Sequence, residues 1–248
     1  MIGTELLDDP RADPVAVERE LKDIGRLNAL FGGTNAVLRA LEPVFARARR
    51  DANPGCGALE WILLDVGTGL GDIPRAVVRA ARRHGITLRL IGVELNRAAA
   101  RLARASDLDS PLAPVLADGG ALPFAPRSVD VIVASQVLHH VPRAVAVRWI
   151  AAFHRLARHA VVLADLRRSR LAMAGVWAAC FGLGMGRTTR RDAVLSLRRG
   201  YTRREFDALL AAAAVPAAAR RGGGARIVAT WCPTARPGAD ASVSARAG

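Results

Sequence analysis

The segment Asp65-Val-Gly-Thr-Gly-Leu-Gly-Asp-Ile-Pro74 gathers residue types suited to holding a small molecule. Its alternate glycines, Gly67, Gly69 and Gly71, allow tight turning and let a ligand approach the backbone closely. Asp72 and Pro74 mark a helix start, where unpaired N–H groups favour a carboxylate or phosphate. Two phosphate-binding readings nevertheless fail on the residues. A dinucleotide fingerprint counted from Gly67 meets Gly69 but then Asp72, an acid beside the pyrophosphate. A P-loop needs Gly-Lys followed by Ser or Thr, and the chain's one lysine is Lys22. What stands is D-x-G-x-G-x-G with Asp65 at its head. Further on, Leu138-His-His-Val141 offers His139 and His140 as candidate catalytic groups, either as a base or to orient an acceptor. Cys56, Cys180 and Cys232 share no close spacing, which excludes a disulfide framework and a CxxC site, and no metal is expected.

Such residues need elements that bring them to one place. Short continuous apolar runs mark strands buried on both faces, and they recur at Trp61–Val66, Leu88–Val93, Pro114–Ala117, Val129–Ala134, Ala160–Ala164 and Arg226–Trp231. Helix-like segments fall between them at about 74–84, 97–105, 143–157 and 203–213. The last begins with a capping box, Thr202 to Glu205, stapled by Tyr201 and Phe206. This alternation predicts an α/β fold with a doubly wound, mainly parallel sheet. The Arg220-Arg-Gly-Gly-Gly224 turn is too short for a crossover, so residues 215–232 read as an antiparallel hairpin. Asp13-Pro14 starts a helix carrying Val17, Leu21, Ile24, Asn28 and Phe31 on one face, ended by Gly32-Gly33. Thr34 is placed to cap a second helix bearing Val37, Leu41, Val44 and Ala48. Three units are expected: 1–50, 51–232 with an insertion at 166–201, and a disordered tail at 233–248.

Taken in order, the motifs resemble class I S-adenosylmethionine-dependent methyltransferases of the small-molecule type, similar to quinone-biosynthesis and polyketide-tailoring enzymes. The resemblance rests on the D-x-G-x-G-x-G loop, on Glu94 closing LIGVEL, on Asp118 in Leu-Ala-Asp-Gly-Gly-Ala-Leu-Pro-Phe124, and on Ser128 to Gln136. It implies a Rossmann-like seven-stranded sheet with an antiparallel C-terminal hairpin, and residues 1–50 as a helical lid. It also implies S-adenosylmethionine as cofactor and S-adenosylhomocysteine as product. The loop residues Asp65, Gly67, Thr68, Gly69 and Gly71 would hold its methionine part, and Glu94 its ribose hydroxyls. Asp118 would meet the adenine amino group beside the backbone of Gly119, with Ser135 and Gln136 closing the site at the fourth strand. The expected acceptor is a small aromatic or lipophilic metabolite (phenolic, quinone or polyketide-like). The 166–201 insertion would recognise it, with Trp177 and Phe181 along an apolar pocket and arginines at the mouth.

Charge narrows the alternatives. Lys and Arg number 36 against 22 acids, a formal net of +14. Residues 167–226 hold thirteen arginines against Asp192, Glu205 and Asp207, a net of +10. That segment suits peripheral contact with an anionic surface or an acidic carrier. A nucleic-acid methyltransferase is disfavoured, because Ser135-Gln-Val-Leu138 stands where an NPPY signature would and no Pro-Cys pair occurs. An oxidoreductase is disfavoured because Tyr201, the one tyrosine, lacks a lysine partner. A non-catalytic cofactor-binding module is the other alternative. The longest apolar stretch, Leu171 to Gly186, falls short of the roughly 20 residues that cross a bilayer. With an acidic N-terminus unlike a signal peptide and no cysteine framework, a cytoplasmic location is expected.

Overall fold

Consecutive apolar residues leave a strand no polar face, so it must be covered on both sides. The computed structural model, which describes residues 3–9, 11–52, 57–105 and 111–233, places five such strands in parallel. They are β1 (Leu59–Val66), β2 (Ile86–Glu94), β3 (Leu112–Leu116), β4 (Val129–Ser135) and β5 (Ala157–Leu166). The sheet is completed by β6 (Arg220–Arg221) and β7 (Arg226–Trp231), in the order β3-β2-β1-β4-β5-β7-β6. Only β7 runs against its neighbours, pairing Val161 with Trp231 on one side and Arg220 with Val228 on the other. The expected hairpin is therefore present, and β7 is also inserted beside β5.

The register aligns the ends that matter. Asp65 pairs with Gly92 and Val133, and Ser135 pairs with Ala164, so the carboxyl ends of β1, β2, β4 and β5 share one edge. The strand order reverses between β1 and β4, which opens the ligand crevice of a doubly wound sheet at that edge.

Helices cover both faces. One cluster joins α2 (Gly33–Asp51), α3 (Asp72–Arg82) and α4 (Arg97–Ala105) to Leu63, Val131, Val133 and Val162. The other joins α5 (Arg143–Leu156) and α8 (Arg203–Ala212) to Leu64, Ile132, Val161 and Leu163. Adjacent residues on one strand thus point into different layers, as the pleat requires.

The N-terminal region departs from the expected plan in two ways. Helix α1 (Pro14–Leu30) begins where predicted, with Asp13 accepting the Ala16 N–H at 3.0 Å. Helix α2, however, starts at Gly33 after a left-handed Gly32, so Thr34 lies inside it and caps nothing. More importantly, Val37, Ala40, Leu41 and Phe45 of α2 are fully buried against the sheet. Residues 33–51 are a covering layer of the core and not part of a lid. Covering the sheet edge falls to α1 and to the segment before it, which contains a short 3-10 turn at Leu6–Asp8.

The 166–201 insertion forms two packed helices, α6 (Arg170–Gly182) and α7 (Arg187–Arg199). Leu166, Val176, Cys180, Met185 and Leu197 make a small core between them, closed by Leu27 of α1. No helix among the described residues is long and apolar enough to cross a membrane. The expected tail, apart from Pro233, and Cys56 lie outside the described residues.

Candidate active site

The carboxyl edge of the sheet, α1, and the α6–α7 pair enclose a cavity of about 850 Å³. Asp65, Gly67, Thr68, Gly69, Glu94, Asp118, Gly119, Ser135, Gln136, His139 and His140 all border it. One of the expected residues lies elsewhere. Gly71 does not line the cavity; it caps α3 at φ 77°, and a Cβ there would collide with the Arg75 guanidinium. Its glycine is demanded by backbone and packing. Gly67 is required on both counts as well, since at φ 73° a Cβ would stand 2.9 Å from Val137.

The loop end of the cavity is acidic. Asp65 is buried at the tip of β1, and burial pushes its carboxyl up to about 8. Asp72, at the α3 N-terminus, is raised by partial desolvation too. Glu94 accepts the Gly69 N–H at 3.1 Å and those of Leu95 and Asn96 at 2.9 and 3.2 Å, which fix its carboxylate toward the glycine loop. A helix N-terminus normally welcomes anions. Here two acids, Asp65 buried at the strand tip and Asp72 exposed at the helix start, reverse that preference and favour a ligand carrying positive charge, as an ammonium or a sulfonium does. Asp118 accepts the Gly120 N–H at 2.6 Å, and Gly119 lies against the Trp149 ring. Gln136 takes φ 56°, rare for a side-chain-bearing residue, and donates from Nε2 to Asn28 Oδ1 at 2.5 Å.

A second group of residues faces the same space from the other side. A short 3-10 turn, Leu138–His140, carries the two histidines and is held by Tyr201, whose hydroxyl donates to the Leu138 carbonyl at 2.7 Å. His139 Nδ1 lies 2.6 Å from Asp165 Oδ1 at the end of β5. Asp165 is 1% exposed, and burial alone would raise its pKa. The His139 imidazole and the N–H of Leu166 outweigh that and hold it below the usual carboxylate range. An ionised Asp165 fixes Nδ1 as the donor and leaves Nε2 as the free base nitrogen. That Nε2 is buried and has no hydrogen-bond partner among the described residues.

His140 is tied differently. Its Nδ1 lies 2.7 Å from Asp8, which also meets Arg199 at 2.9 Å. Glu5 meets Arg199 at 3.0 Å and accepts the Ser196 hydroxyl at 2.6 Å. His140 thus anchors the N-terminal segment. Glu5, His139 and His140 offer ligand atoms within 4.8 Å of one another. The Arg199 guanidinium against Glu5 disfavours a second cation there.

Several cavity residues were not foreseen, Glu5, Asp8, Glu20, Arg199 and Arg226, nor was Asp165, which lies behind His139. Asp165 ends an apolar run, and Asn28 interrupts an apolar helix face; both were visible as polar residues in apolar company. Another expectation is corrected. Trp177 and Phe181 are 52% and 63% exposed and do not line the cavity. Their helix turns Leu171, Ala172, Gly175 and Val176 toward it instead.

Known proteins share this architecture. Residues 64–165 match the family described as a methyltransferase domain. Among solved structures, PigF with SAH is 16% identical with a TM-score of 0.60, over 92% of this chain and 62% of its own. The mitomycin 7-O-methyltransferase MmcR is 21% identical with a TM-score of 0.58, over 92% of this chain and 60% of its own. A SAM-dependent methyltransferase from Aquifex aeolicus is 15% identical with a TM-score of 0.55, over 88% of this chain and 97% of its own. The chain thus spans less than two thirds of the length of the first two. No curated protein sequence matches it. The domain match and the sheet order agree: residues 64–165 are similar to a methyltransferase domain, and the chain shares the fold of these S-adenosylmethionine-dependent enzymes.

Proposed function

We propose that the protein transfers a methyl group from S-adenosylmethionine to a hydroxyl of a small aromatic or lipophilic metabolite of the phenolic, quinone or polyketide-like kind. The observation that carries this reading is the buried His139–Asp165 pair, with Nε2 unpartnered in the wall of the cavity that holds the glycine loop.

The cofactor site fits its ligand chemically. Asp65 and Asp72 suit the cationic amino-acid end, Glu94 suits vicinal hydroxyls, and Asp118 with Gly119 suits the adenine. Thr68, Gly69, Ser135 and Gln136 complete the wall. When bound, the cofactor supplies a methyl carbon already activated by the sulfonium.

The chain's part is to bind, align and deprotonate. His139 Nε2 takes the acceptor's hydroxyl proton as the oxygen attacks, and Asp165 stabilises the imidazolium formed. Leu27, Phe31, Leu166, Ala172, Val176 and Leu197 give the acceptor end an apolar lining. Alignment of the two reactants in one closed space can provide effective molarities of roughly 10⁵–10⁸ M. The same reading places the enzyme in a reducing cytoplasm, where Cys180 and Cys232 remain free thiols.

The test is methyl transfer from labelled S-adenosylmethionine to a panel of hydroxylated aromatics and hydroquinones, read by mass spectrometry. Label on a hydroxyl oxygen, lost in His139→Asn with S-adenosylhomocysteine binding intact, is the expected result. Tight cofactor binding with no label on any acceptor would leave only a binding module.

A further inference from the structure

The outer face of α6 has no partner in the fold. Trp177 and Phe181, with Leu183 just past the helix end, are 52%, 63% and 51% exposed, whereas Val176 and Cys180 on the same stretch are buried. Large apolar groups concentrated on one exposed face are unusual in a soluble domain. The two aromatic rings lie 5.9 Å apart and nearly parallel, and Arg190 sits over Phe181 at 5.4 Å. Around them stand Arg170, Arg187, Arg191 and Arg198, all exposed. None of these five arginines has a carboxylate partner among the described residues. The single acid of residues 170–199, Asp192, is buried and turned to the cavity. A shallow groove runs between Trp177 and Arg187, Arg190, Arg191 and Arg198.

We propose that this face docks on an anionic lipid bilayer, with Trp177, Phe181 and Leu183 entering the headgroup boundary and the arginines meeting lipid phosphates. Aromatic and leucine side chains beside arginines are the composition of an interfacial element. Charge excludes the competing occupants. A second copy would bring the same cations face to face. The chain's own residues 234–248 carry Arg236 and Arg246 against Asp240, with Val243 as their one large aliphatic side chain, and complement neither the charge nor the apolar area. The opposite face of α6 lines the acceptor end of the cavity. This part of the proposal rests on the reading above: a lipophilic acceptor would be taken directly from the membrane.

The experiment is flotation of the full chain with vesicles of equimolar phosphatidylglycerol and phosphatidylcholine, beside vesicles of phosphatidylcholine alone. Of the four tryptophans, Trp61, Trp149 and Trp231 are buried, so a blue shift in emission on binding reports Trp177. The expected result is flotation with the anionic vesicles, weakened by salt, together with that shift. Trp177→Ser with Phe181→Ser should lower partitioning at least about tenfold. Arg187→Gln and Arg191→Gln should each lower it roughly fivefold. Circular dichroism and S-adenosylhomocysteine binding should be unchanged in all three variants.

Absence of flotation or of the shift overturns the proposal. So does a dimer dissociated by Trp177→Ser, or an RNA oligonucleotide that gives the same shift and displaces the vesicles. Flotation by a protein inactive toward every acceptor would uphold docking and remove the methyl-transfer reading. Activity on a water-soluble phenol without flotation would do the reverse.

Discussion

At the scale of single residues, the proposed mechanism turns on how one nitrogen is prepared to accept a proton. Asp165 is a buried carboxylate kept ionised by its imidazole partner, and it fixes the tautomer that leaves His139 Nε2 free. His139→Asn should lower kcat by roughly 10²–10⁴-fold while S-adenosylhomocysteine affinity in calorimetry stays within about twofold. Asp165→Asn should fall in the same direction, because an amide can present its N–H to Nδ1 and reverse the tautomer. Asp65 makes a pH prediction. Its carboxyl, at about 8 in the free protein, is neutral at lower pH. A ligand ammonium favours the ionised form, so binding releases a proton. S-adenosylhomocysteine affinity should therefore rise as pH climbs toward 8, with a calorimetric enthalpy that depends on the buffer, and Asp65→Asn should abolish both trends. Asp65 and Glu94 stood out in the sequence as acids closing apolar strands, and the histidines as polar residues just after one. Asp165 was hidden because nothing in one dimension says which strand-end acid will stand beside which histidine.

At the scale of elements, two contacts decide how well the cavity is closed. Helix α8 is opened by the Thr202–Glu205 capping box, which also sets Tyr201 to hold the histidine turn. Thr202→Ala should cost about 1 kcal/mol. That corresponds to a drop of roughly 2–4 °C in the melting temperature for a chain of this size. The second contact joins α1 to α7, where the Thr189 hydroxyl donates to Glu20 at 2.7 Å and to Asp23 at 3.2 Å. Burial, with Asp192 and Asp23 nearby, pushes Glu20 up to about 7. A carboxyl raised on folding contributes stability that is complete below its unfolded value near 4.5 and is lost as pH rises through 7. Glu20→Gln should raise the melting temperature at pH 8 and leave it little changed at pH 4 in a thermal scan. The strands were legible to within a few residues, since their apolar runs are set by burial on both faces. The role of α2 was not: an amphipathic stripe announces that a helix is covered, but not whether the covering surface is a sheet or a ligand.

At the scale of the molecule, one sheet edge borders a single chamber in which the proposed donor and acceptor sites meet. Loading it should show as stability. S-adenosylhomocysteine at a hundred times its dissociation constant should add about 2.7 kcal/mol, read as a rise of roughly 5–11 °C in a thermal shift assay. The parallel sheet and its hairpin followed from alternating periods and turn lengths. The chamber's far wall did not, because it is assembled from residues 3–9, α1, α6 and α7, whose mutual placement depends on long-range packing. Asn28 illustrates that assembly. Its Oδ1 accepts from Gln136 at the cofactor edge and from Arg226 at 3.1 Å on β7. A swing of α1 outward severs both bonds in one movement. If the proposed reaction runs in this cavity, turnover should be sensitive to the rearrangement of that helix, and Asn28→Ala, which removes both bonds, should change the rate of product release measured in pre-steady-state kinetics.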